Sequence, residues 1–446
     1  MATLHFNDAL RMAARSLRDE TLPESPKIRL IRDVYGRLRY ALDCSLADYP
    51  QDELLKLQAA QGALGAYATS TEVLSHDSFS DPKAVFGSSD WHRTLVDLGV
   101  DEDGEHVGVT EVQLLDRQIT GQDWLRPPAE NEVPHPHRLV FFGLKGGVGR
   151  STALCMTAWG LAQRGKRVLL IDFDLESPGL SGLLLPASKL ADFGVVDWLL
   201  EDAVGQGDSV MQHMVAASPL ADTTVGAIRV VSAVGRDEQE YLAKLSRAYA
   251  DVPGANGPQR MGVRMRRLVE QLEAQEKPDV VLIDSRAGLH DLAAVSITGL
   301  ADTALLFATD GAQSWNGYRQ LFAHWQHRPD VAQHVRERLV MVRALTPKTD
   351  REASVRAFQR SAYELFSETL YDELPVDAAD NEELFHPGEK DESAPHFPIL
   401  VNWDEQFQEF NPLLRPEEGG ATPAQIEAAF GLLIERLSNR LEGETA

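Results

Sequence analysis

Between residues 138 and 343 the chain carries six apolar runs, at 139–143, 168–172, 227–231, 280–284, 303–308 and 339–342, separated by segments of helical pattern. Val, Leu and Ile follow one another in these runs with little polar alternation, so each strand must be covered on both faces. That pattern belongs to parallel sheets, whose crossover helices pack above and below. Helical segments between the strands make right-handed βαβ units the default connection. The expected fold class is therefore α/β, a doubly wound and mostly parallel sheet. Ligands of such sheets bind outside the carboxyl ends of the strands, which is where a functional site is expected.

On either side of this block the texture changes. Residues 1–132 open with an amphipathic helical pattern at 8–18 and a proline-rich break at 23–26. A run from Ile28 to Tyr40 then reads as strand, turn at Gly36, strand, followed by a helical stretch at 52–66 and an alternating run at 107–115. The expectation is a small α+β domain, in which no residue pattern carries a defensible chemical signature. Proline and acidic residues at 127–136 mark the expected linker. The central domain is then 133–343. Residues 344–446 read as its C-terminal part and an acidic helical extension, with helices at 350–370 and Pro423–Leu441 and one more strand near 397–401. A chain of 446 residues is long enough for two or three domains.

The first apolar run of the central domain leads into Lys145, Gly146, Gly147, Val148, Gly149, Arg150, Ser151 and Thr152, and a good helix sequence follows. A glycine-rich turn between strand and helix lets successive backbone N–H groups face a phosphate, and the helix N-terminus adds its partial positive charge. Three glycines allow the close approach that a β-carbon would block. Ser151 stands where a hydroxyl can reach Mg²⁺. The common pattern G-x-x-x-x-G-K-[ST] is not met, because Leu144 replaces its first glycine and Arg150 its lysine. Two other apolar runs end in carboxylates, Asp172 and Asp174 after one and Asp284 after the other. A lone Asp after a strand is commonly a helix cap or turn former. Three beside a glycine loop, at the end of the sheet where ligands bind, point to a nucleotide with its metal.

The loop KGGVGRST at 145–152, the run VLLIDFDLE at 168–176 and the run VVLIDSRAG at 280–288 resemble the deviant Walker A ATPases of the MinD/ParA type, within the SIMIBI class. The branch most similar is that of the KGGVGR-motif variant ATPases, associated with bacterial signalling and defence systems. The resemblance implies ATP and Mg²⁺ as cofactors and a homodimer closed through the nucleotide site. It implies that Lys145 reaches the partner subunit's nucleotide, that Ser151 binds Mg²⁺, and that Asp174 positions the attacking water. Asp172 and Asp284 match carboxylates near the metal. The loop from Lys145 to Thr152 would cradle the phosphates, with Arg150 where the family has lysine. Arginine keeps the charge but is longer and planar, so binding is expected to survive better than turnover. The implied function is a dimeric ATPase switch that engages a protein partner, with 1–132 conferring specificity. Two alternatives stay open: a nucleotide-binding sensor with little or no hydrolysis, and a P-loop kinase.

Charge and composition narrow the rest. A formal net charge of −25 disfavours binding to DNA or to anionic membrane, and the basic cluster at 260–267 reads as a solvated helix face. Two cysteines, Cys44 and Cys155, exclude a disulfide scaffold or a cysteine-held cluster within one chain and fit a reducing, cytoplasmic setting. No apolar run is long enough to span a membrane. The final helix has no basic face, so packing against protein is favoured over lipid. Glu176 to Ser181 reads as either a switch loop or a plain turn, and Arg286 as a phosphate contact or a salt bridge.

Overall fold

The computed structural model describes residues 4–18, 28–100, 104–126, 134–254, 258–374 and 384–443. The proline-rich break at 23–26 and residues 127–133 of the expected linker lie outside them. The chain forms two compact units: Met1–Leu125 with Ala323–Ala332, and Arg126–Phe322 with Gln333–Ala446. The short segment Ala323–Ala332, which the sequence places inside the central domain, thus groups with the N-terminal unit.

The first unit is built on four strands, β1 (Ile28–Arg32), β2 (Leu38–Leu42), β3 (Trp91–Asp97) and β4 (Val109–Asp116), in the order β2-β1-β4-β3. β1 and β2 form a hairpin whose turn places Gly36 at φ +83, a region that favours glycine. β1 then pairs parallel with β4, and β4 antiparallel with β3. The helices Phe6–Arg18 and Gln51–Ala63 bring Ala9, Ala13, Leu54 and Leu57 into a core with Leu30, Tyr40 and Leu114. β3 is absent from the sequence reading because its residues are largely polar and half-exposed, as suits an edge strand.

The second unit holds an eight-stranded sheet: β5 (His137–Gly143), β6 (Arg167–Asp172), β7 (Val215–Ala217), β8 (Ala227–Val231), β9 (Val280–Asp284), β10 (Thr303–Ala308), β11 (Leu339–Thr346) and β12 (Ile399–Asn402). Their order is β12-β11-β10-β5-β9-β6-β8-β7, and every pairing is parallel except β7 with β8. This is a doubly wound α/β sheet. The chain leaves β5 toward one edge, returns through β9, and then builds the other edge from β10, so the strand order reverses beside β5. The reversal point is where a crevice opens at the carboxyl ends.

The last helix, Pro423–Leu441, starts at a Thr422 cap whose hydroxyl accepts the Gln425 N–H, with Pro423 in the first turn. It buries Ile426, Phe430, Leu433, Ile434 and Leu437 in the core of the second unit. Gly160 is what lets it come so close to the helix Arg150–Gln163, since a β-carbon there would stand 2.5 Å from Ile434 Cγ2. No helix among the described residues is long and apolar enough to cross a membrane.

Candidate nucleotide site

Register assembles the site. β9 lies between β5 and β6, pairing Asp284 with Phe141 on one side and with Asp172 on the other. The loop that leaves β5 therefore stands directly beside the carboxylates that end β9 and β6. Gly147 and Gly149 adopt φ +74 and +77, and a β-carbon at Gly146 or Gly147 would meet nothing within 4 Å. The loop's inner face is open. Among the described residues, no hydrogen bond is donated by the backbone N–H groups of 145–152. A run of unpaired amides at the start of the helix Arg150–Gln163 is the physical requirement for an anion cradle.

Below the loop the side chains interlock. Arg150 Nη2 donates to Asp174 Oδ2 at 3.1 Å, and its Nε lies 2.7 Å from Asp284 Oδ1. That second contact is an ion pair whose angle falls short of a hydrogen bond, which leaves both atoms without one. Ser151 Oγ donates to Asp284 Oδ2 at 2.7 Å. Burial works against the Arg150 guanidinium, but the charges of Asp284 and then Asp174 outweigh it and hold its pKa above the usual range. Asp284 is itself pushed up by burial, with Arg150 and Ser151 pulling the other way.

Asp172 is wholly buried and used differently. Its Oδ1 accepts the Asp174 N–H, and its Oδ2 accepts those of Gly179 and Leu180, each at 3.1 Å. Burial and the neighbouring Asp284 charge push its carboxyl up, against the three N–H groups. Asp172 thus pins the loop that follows Asp174. In the same loop, Glu176 is gripped by Arg286 and by the hydroxyl of Tyr249, with His290 Nε2 at 3.7 Å. Arg286 accordingly stands in a salt bridge.

The expected site residues sort as follows. Arg150, Ser151, Asp174 and Asp284 form one connected cluster, and Asp172 adjoins it through the sheet register. Lys145 is exposed, with no hydrogen bond or ion pair among the described residues. Val148 is buried and Thr152 half-buried. Asp174 and Asp284 share one guanidinium, with Asp172 beside Asp284 in the sheet register. A hydroxyl and carboxylates, without histidine or cysteine, form a donor set of the hard-oxygen type that Mg²⁺ accepts, with phosphate completing the shell. Among the described residues no group of three His, Cys, Asp or Glu could hold a metal alone.

The basic stretch at 260–267 departs from expectation. Arg264 is fully buried, its Nε donating to Asp202 at 2.9 Å, and Arg267 pairs with the same carboxylate at 2.6 Å. Arg264 is thus held inside the fold, while Arg267 shares its carboxylate and stays 36% exposed.

Residues 138–339 match the family model of an AAA domain. An uncharacterized protein of Mycobacterium tuberculosis (strain H37Rv) is 29% identical over 124 residues, which is 25% of this chain and 39% of that protein. The chain thus spans about two fifths of that relative's length. Among solved structures it is similar to cobyrinic acid a,c-diamide synthase from Mycobacterium smegmatis with bound ATP analogue and magnesium, at 18% identity over 70% of this chain and 97% of that one, TM-score 0.43. It is similar to a ParA family ATPase from Chlorobium tepidum TLS, at 14% identity over 67% and 98%, TM-score 0.42. A third similarity is to the pNOB8 ParA bound to nonspecific DNA, at 14% identity over 69% and 98%, TM-score 0.40.

Proposed function

We propose that the chain is a MinD/ParA-like, Mg²⁺-dependent ATPase switch, its P-loop domain within residues 138–339, that closes as a homodimer through its nucleotide site. The observation that carries this reading is the cluster of Arg150, Ser151, Asp174 and Asp284 beneath a loop of unpaired amides. Phosphoryl transfer asks little covalent help of a protein and much positioning and charge neutralisation. The loop amides and Arg150 would hold the β- and γ-phosphates. Ser151 and Asp284 would hold Mg²⁺, with Asp172 behind them. The metal supplies charge neutralisation on the phosphoryl oxygens. Asp174, released from Arg150 when the guanidinium turns to phosphate, would orient the attacking water. Lys145, exposed at the loop's tip, would complete a second subunit's site. Residues 1–132 would carry the contact with a protein partner, in a signalling or defence setting of the kind the resemblance implies.

A second reading has its own observation. Arg150 sits between Asp174 and Asp284, so the water-positioning carboxylate is occupied unless nucleotide draws the arginine away. A chain in which that exchange fails would bind ATP and signal without turnover. Asp174→Ala separates the two. As an ATPase, the variant keeps ATP binding by calorimetry and loses phosphate release. Unchanged release in the variant would end the assignment of Asp174 as the water-positioning group, and no release from the wild type would favour the sensor.

A further inference from the structure

Asp174 is held in two ways. Arg150 grips its carboxylate, and the loop that follows fixes its backbone. On the function proposed above, on which this inference rests, Arg150 turns to phosphate when nucleotide binds. The first hold is then gone, and the aim of the carboxylate depends on what fixes residues 175–180.

On its inner side that loop is tied to Asp172, which accepts the N–H groups of Asp174, Gly179 and Leu180. On its outer side it is tied to two other segments of the same unit. The helix Tyr241–Ala248 begins with Tyr241, whose hydroxyl donates to the Leu175 carbonyl at 2.6 Å. Tyr249, at the end of that helix, donates its hydroxyl proton to Glu176 Oε1. The segment after β9 supplies Arg286, ion-paired with the same oxygen, and His290, whose Nε2 lies 3.7 Å from it. Three partners thus converge on Oε1, while Oε2 is buried without a hydrogen bond. The carboxylate is held through one oxygen only. The buried Leu175 is the single residue between Asp174 and Glu176, so little slack separates this contact from the carboxylate that needs aiming.

We propose that Glu176, latched by Tyr249 and Arg286, is a positioning residue for Asp174, and that it keeps the loop aligned once Arg150 has moved to phosphate. Turnover then depends on the segment from Tyr241 to Tyr249, whereas ATP binding does not. A misplacement of about 1 Å in a reacting group can cost on the order of a hundredfold in rate, so a modest loosening of the loop is enough.

The test uses the full-length protein carrying Tyr249→Phe, which removes one hydroxyl and keeps the ring against His290. Phosphate release, calorimetric titration with a non-hydrolysable ATP analogue and Mg²⁺, and amide hydrogen exchange of the peptide 174–180 are each compared with wild type. The expected kcat is about tenfold or more lower, the scale of one charge-assisted hydrogen bond, with analogue affinity within about twofold. Exchange at 174–180 should quicken by a similar factor with the analogue bound, and much less without nucleotide, where Arg150 still holds Asp174. Glu176→Gln, which keeps an acceptor for Tyr249, should fall between wild type and Glu176→Ala in both readouts. The proposal is overturned if kcat is unchanged, or if affinity falls as far as kcat. Exchange that is unchanged, or that quickens equally in both states, overturns it as well. A wild type that binds the analogue but releases no phosphate ends the hydrolytic reading alone, and the exchange comparison then decides the latch. A wild type that does not bind the analogue ends both.

Discussion

Replacing Arg150 by methionine, which keeps an unbranched apolar stem and removes the guanidinium, should destabilise the second unit severely. In the structure the Arg150 side chain is 10% exposed, and the partner carboxylates Asp174 and Asp284 are 11% and 2% exposed. At an effective dielectric near 20, each close pair attracts by roughly 4 kcal/mol, most of it cancelled by the desolvation of the three groups. Removing the cation alone leaves that desolvation uncompensated, so the loss should be about 3–5 kcal/mol. Denaturant unfolding of wild type and variant in EDTA, following the transition of the unit that carries the site, measures it. Adding Asp284→Asn to Arg150→Met should return a substantial part of the loss, since the orphaned charge goes with it. A change below about 1 kcal/mol, or a double variant no better than the single one, would refute the claim that Arg150 neutralises these carboxylates.

Three further outcomes follow from the geometry. Lys145→Ala should weaken ATP-dependent dimerisation, read by light scattering, far more than ATP affinity, because Lys145 has no bond within its own subunit among the described residues. Gly160→Ala should cost about 1–3 kcal/mol by overpacking against Ile434 and be partly rescued by Ile434→Ala in a denaturation series. Burial pushes the Asp116 carboxyl up, but the Arg32 pair outweighs it and holds the folded-state pKa below the usual range. A depressed folded pKa stabilises above the unfolded value of about 3.9 and loses that stabilisation as pH falls through the folded value. Asp116→Asn should therefore flatten the acid-side loss of stability in the first unit, and an unchanged acid limb would contradict this.

Much of the sheet is legible in the sequence because continuous apolar runs have one physical solution, burial on both faces. The runs at 139–143, 168–172 and 280–284 become neighbours β5, β6 and β9, and Asp172 and Asp284, which end the latter two, fall opposite each other. What escapes is what local pattern cannot encode. β3 carries His92, Arg93 and Thr94 in an edge strand, and β7 is three residues long, so neither shows a clean period. Arg264 reads as solvent-facing until Asp202, 62 residues away, is placed against it in the fold. Asp172 reads as a metal-site carboxylate, while its three backbone donors come from a loop whose path the sequence does not state. Arg150 is visible as a substitution in the loop, but its grip on Asp174 and Asp284 depends on strand register.

The measurement closest to the central claim is phosphate release by purified protein with Mg·ATP across a range of protein concentrations. A site completed by a second subunit predicts turnover that rises more steeply than protein concentration and disappears in Lys145→Ala. No release despite tight ATP binding would contradict the ATPase switch and leave a nucleotide sensor with Arg150 locked at its centre.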